Sequence, residues 1–192
     1  MPQNQTDVAE DVGKEPGTVF ETAGTRYLAA EHWLLASLEG PGRNRARMEW
    51  QAGGVALLRL GLRYSAIRIP GRLVRAVAGT GTLADTDAYL AEALDGGPVI
   101  SDPHSDHYYP LVPGSAVRGR TSPSAWRRAG VDLLGQDTFL GVPAADRTLD
   151  APAEDASYWA VPMPSLGELC DQARVAQLVD AAVRASTEEP QR

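Results

Sequence analysis

The chain has 192 residues, of which 43% are hydrophobic, with one cysteine and a formal net charge of −7. These values fit one globular domain and exclude both a disordered polyelectrolyte and a disulfide scaffold. No apolar run approaches the ~18 residues that a bilayer span requires, and the polar start MPQNQTDVAEDVGKEPGT has no apolar signal core, so no membrane partner and a cytoplasmic location are expected.

In chain order, residues 1–24 are too polar to bury a core and are expected to form a disordered acidic arm. Residues 25–185 form the single domain, and 186–192 a polar tail. The segment RYLAAEHWLLASL (26–38) spaces its apolar residues as a helix, with Gly40-Pro41-Gly42 as its stop. A strand region follows over 54–69, broken by Gly61 and ended by Pro70-Gly71, with Ile67 and Ile69 flanking Arg68 in strand alternation. Residues 83–94 predict a helix with Thr82 and Asp85 spaced as a capping box. Two short strands, 98–101 and 107–112, are expected around the turn Asp102-Pro103-His104-Ser105-Asp106. Residues 113–125 read as a surface loop and 132–142 and 157–161 as strands, with an acidic loop over 144–156 between them. A terminal helix is expected over 172–184 behind Asp171 as N-cap. Three helices among many strands predict an α+β fold, a mostly antiparallel sheet with helices packed on one side.

Charge is unevenly spread. Between Arg43 and Arg75 lie eight arginines and one acid, Glu49, a local balance of +7. Two readings stand, a solvated basic face or an anion-binding one, the latter because a guanidinium offers a planar fork of donors to phosphate oxygens. With Lys14 as the sole lysine, P-loop and Schiff-base chemistry are excluded, and no GxSxG or HExxH motif occurs. Cys170 reads as a packing residue. The densest polar cluster, Ser101 to Tyr109, holds two histidines and two aspartates. Asp102 and Asp106 fit a tight turn or a divalent-metal site, and His107, opening a strand, fits either a surface histidine or a phosphate contact.

Four segments in order, YSAIRIP (64–70), PVISDPHSDHYYPLVP (98–113), GVDLLGQDTFLGVP (130–143) and YWAVPMPSLGEL (158–169), resemble the primase/polymerase domain of the archaeo-eukaryotic primase superfamily. The likeness is to short actinobacterial-type members and spans about residues 50–184. It implies that His107 corresponds to the nucleotide-phosphate histidine and Asp132 to the third metal-binding acid, the two forming the catalytic set. Where the family has an acidic pair, this chain has Arg68 and Pro70, and Ser105-Asp106 replaces two glycines. The expectation is a degenerate primase/polymerase-like domain that holds a nucleotide or single-stranded nucleic acid by its phosphates on Arg68, His107, Arg118 and Arg120, with little or no catalysis. Two alternatives stay open. One is an active enzyme holding Mg²⁺ or Mn²⁺ on Asp132 with Asp102 or Asp106. The other is a regulatory domain with a protein partner.

Overall fold

A computed structural model describes residues 23–117, 122–149 and 156–188. Seven helices and seven strands are present among them: α1 (Ala23–Leu35), α2 (Gly40–Gly53), β1 (Val55–Arg59), β2 (Tyr64–Pro70), α3 (Gly71–Ala78), α4 (Leu83–Ala93), β3 (Val99–Asp102), β4 (His107–Pro113), α5 (Gly114–Val117), α6 (Ser124–Ala129), β5 (Asp132–Leu134), β6 (Phe139–Pro143), β7 (Tyr158–Val161) and α7 (Gln172–Glu188). Five strands form one sheet in the order β5-β2-β4-β3-β7, and β1 pairs with β6 in a separate ribbon. Every strand pairing is antiparallel, so the α+β class with a mostly antiparallel sheet holds.

The sheet is buried on both faces, which corrects the expectation of helices on one side. Alternation along β2 sends Ile67 and Ile69 to one face, where they meet Leu73 and Val74 of α3, Leu90 of α4 and Val175 and Val179 of α7. Tyr64 and Ala66 face the other way, against Leu34 and Leu35 of α1, Trp50 of α2 and Leu58 and Leu140 of the ribbon. Trp33 stacks on Tyr64 with ring centroids 5.5 Å apart.

The helices missed in the sequence have physical reasons. Gly40-Pro41 begins α2 instead of only ending the helix before it, because a proline in the first turn gives up an N–H that has no helical partner. Ala46 and Trp50 then repeat at helical spacing as its buried face. The eight-residue α3 starts directly after Pro70 with no side-chain cap. The expected strand 132–142 is divided between β5 in the main sheet and β6 in the ribbon, the chain turning at Asp137, φ 64°. Part of the expected loop 113–125 is helical in α5 and α6. Residues 23–24 belong to α1, and α7 continues past 184 to Glu188. The rest of the acidic arm, the last four residues and residues 150–155 of the acidic loop lie outside the described residues.

Other local readings survive. Gly61, φ 96°, turns the chain between β1 and β2, and a methyl group there would strike the Gln136 backbone. Thr82 Oγ1 accepts from Asp85 N at 3.2 Å and donates to Asp85 Oδ2 at 2.6 Å at the start of α4. Cys170 is buried with its thiol on Pro98 O at 3.3 Å, and burial pushes its pKa up to about 12, which suits packing and not nucleophilic attack.

The ribbon is tied to α2 by the Trp50 indole, whose Nε1–H donates to Val142 O at 2.8 Å in a buried setting. Trp50→Phe keeps most of the apolar area but removes this bond between α2 and the ribbon. A loss of about 0.5–1.5 kcal/mol in urea unfolding free energy is expected.

Candidate anion-binding site

The strand registers place one row of residues across all five strands on a single sheet face. Asp132 on β5 pairs with Arg68 on β2, the β2–β4 register sets Tyr109 opposite Arg68, and Tyr109 pairs with Ile100 of β3, which pairs with Trp159 of β7. The row changes character along its length. Trp159, Ile100 and Tyr109 are buried, whereas Arg68 and Asp132 are 40% and 42% exposed and joined by an ion pair from Arg68 Nη2 to Asp132 Oδ2. The next row toward the strand ends holds Pro70, His107 and Asp102. His107 stands 6.2 Å from the Tyr109 ring, centroid to centroid.

Arg68, His107, Asp132 and Asp102, drawn from four strands, therefore share one face because each lies at an even spacing from a residue of the same core. Among the described residues, Arg68 Nε and His107 Nδ1 are buried without a hydrogen-bond partner. Burial, with Asp102 next in order, raises the Tyr109 hydroxyl above its ordinary range, and Arg68 opposes the rise. Arg118 and Arg120 lie outside the described residues.

Asp106 does not join this group. It sits in the β3–β4 turn at φ 52°, and its carboxylate takes two bonds from Arg75 of α3, at 2.7 and 3.0 Å. Gly71 is where α3 approaches it, and a methyl group there would run into the Asp106 carboxylate. Arg75 holds the Asp106 carboxyl below its ordinary range. Asp102 Oδ1 accepts from Ser105 N at 3.3 Å, the bond of a turn-capping aspartate.

The three acids do not fit a shared cation. Asp132 and Asp102 stand three strand positions apart, which is roughly 14 Å at the usual spacing. Asp106 is committed to Arg75, and Asp132 to Arg68. Among the described residues no group of three or more His, Cys, Asp or Glu side chains is gathered to hold a metal ion.

A second polar group, which the sequence did not reveal, lies on the opposite face at the same strand ends. Tyr108, Ser101 and Tyr158 stand side by side on β4, β3 and β7, and Asp87 of α4 comes down onto them, accepting from Tyr158 Oη at 3.0 Å. Asp87 is only 7% exposed. Its Oδ1 and the Tyr108 hydroxyl are buried with no well-formed hydrogen bond to a described residue. Burial pushes the Asp87 carboxyl up to about 6, with the Tyr158 bond opposing, and pushes Tyr108 up to about 12. The signal in the sequence was an aspartate within a helix whose buried face also carries Thr86 and Leu90, a pattern that reads as solvated surface until the helix is docked.

An aspartate raised in the folded state binds its proton more tightly there than in the unfolded chain. Stability therefore falls as pH rises from about 4 to about 6, and the cost of the buried charge is present in full above that window. Asp87→Asn carries no such charge and can donate toward Tyr108. Its melting temperature should exceed that of the parent by a few degrees at pH 8 and approach it at pH 4, a convergence that thermal scans across pH will measure.

No family model matches the chain, and neither do any curated protein or solved structure.

Proposed function

We propose that this domain is a degenerate primase/polymerase-like module that binds nucleotide or single-stranded nucleic acid through phosphate, with little or no polymerase activity. The observation that carries the reading is the placement of Arg68 and His107 in neighbouring rows of one sheet face, beside Tyr109 and at the exposed end of the row. A half-exposed guanidinium on a rigid strand is a strong phosphate donor, since its fork is fixed in plane and always charged. A histidine beside it, on the neighbouring strand β4, adds a further ring N–H donor. Arg118 and Arg120 belong to the donor set by sequence alone.

The same arginine argues against phosphoryl transfer. Two-metal catalysis requires carboxylates to hold the cations that stabilise attacking and leaving oxygens. Arg68 brings a positive charge to the strand position that the resemblance assigns to an acid, and Asp132 is already paired with it.

Anisotropy titration of labelled oligothymidylate at low and moderate salt tests binding. Affinity should fall with salt, and Arg68→Ala should weaken it about tenfold, the size of a lost charge-assisted bond. Absence of binding at both salt levels would sink the reading. Primer extension with dNTPs and Mn²⁺ should give no product. Extension abolished by Asp132→Ala but retained in Arg68→Ala would instead establish the metal-dependent enzyme.

A further inference from the structure

We infer that Asp132 is an internal competitor for the phosphate site: in the free protein its carboxylate occupies part of the Arg68 fork and holds down the affinity for external anions. This rests on the phosphate-binding reading of Arg68 and assigns Asp132 the opposite role to that of a cation ligand. The guanidinium has five donors in one plane, and Asp132 Oδ2 takes the Nη2 prong. The backbone makes the competition persistent, because Asp132 is the register partner of Arg68 in the β2–β5 pairing. A displaced carboxylate stays within a few ångströms of the bound phosphate and repels it.

Exchange is feasible. Both side chains are about two-fifths exposed, and exposed pairs of this kind are worth a factor of about five at most. Three other arginines of the basic block have acids of their own: Arg59 has Asp137, Arg75 has Asp106 and Arg45 has Glu49. Asp132 is the one of these acids that shares the sheet face and row of the proposed site.

The experiment compares the full chain with Asp132→Asn, Asp132→Ser, Arg68→Ala and the Arg68→Ala/Asp132→Asn double variant, using labelled oligothymidylate and inorganic pyrophosphate as probes. Removing the carboxylate should tighten binding about five- to tenfold, the sum of the released pair and the relieved repulsion. The double variant should return to the Arg68→Ala level. Tightening toward both probes assigns the site to a strand backbone, and tightening toward pyrophosphate alone assigns it to a nucleotide polyphosphate; either supports the inference. Should Asp132→Asn fail to melt cooperatively, Asp132→Ser carries the comparison. Unchanged or weaker binding in the Asp132 variants, with the parent still binding through Arg68, overturns the inference and leaves the phosphate reading intact. Mn²⁺-dependent binding that Asp132→Asn abolishes overturns it in favour of a cation ligand. If no variant binds either probe, the phosphate reading itself falls.

Discussion

The antiparallel pairing of β2 with β4 sets which residues meet everywhere else in the molecule. Both strands lie inside the five-stranded sheet, and each feeds two cores at once. A strand buried on both faces should read as a nearly continuous apolar run, and YSAIRIP does so except at the small Ser65 and at Arg68, its one charged residue. Because side chains alternate with a period of two, a slip of one residue would carry Arg68 into the core of Leu73, Val74 and Val179 on the opposite face. An unpaired guanidinium there would cost far more than any contact it could replace. Arg68 thus acts on the fold before it acts on any ligand: it allows one register and forbids its neighbour.

Electrostatics follow from the same geometry. The run from Arg43 to Arg75 is strongly basic when counted along the chain, yet Arg59, Arg68 and Arg75 each meet an aspartate lying 31 to 78 residues away in sequence. Arg72 spends its guanidinium on the Ala129 carbonyl at 2.8 Å, tying α3 to α6, and Arg43 bonds Leu38 O at the same distance. Much of the charge therefore serves to join elements. The charge left unpaired is smaller than the composition suggests.

Long-range pairing also explains how much was legible in the sequence. The turn at Asp102 to Asp106, the break at Gly61, the Thr82 cap and the alternation around Arg68 depend on neighbours in the chain, and local chemistry was enough to read them. That Arg68, His107 and Asp132 share a face was not legible, because it depends on the registers of β2 with β4 and β5. The short α3 escaped notice because eight residues without a cap carry little periodic signal, and α2 because Gly40-Pro41 is ambiguous between the end of one helix and the start of the next. Asp87 was out of reach for a different reason. Its partner Tyr158 lies 71 residues away in sequence, and its burial exists only once α4 is laid across β3, β4 and β7.

The two faces of the sheet end in polar groups of opposite kinds at the same strand termini. Consecutive residues divide them: Asp102 and His107 go to one side, Ser101 and Tyr108 to the other. On the open side the charges are half exposed, so solvent screens them and partners can be exchanged at small cost. On the closed side Asp87 and two tyrosines are shut in beneath α4, so each unsatisfied atom carries its full desolvation penalty. The closed group is thus suited to setting stability as a function of pH, and the open group to meeting a ligand. The His107–Tyr108 peptide joins them, with each side chain committed to a different face by the β4 pleat, so the pairing that fixes the fold also keeps the two polar groups apart.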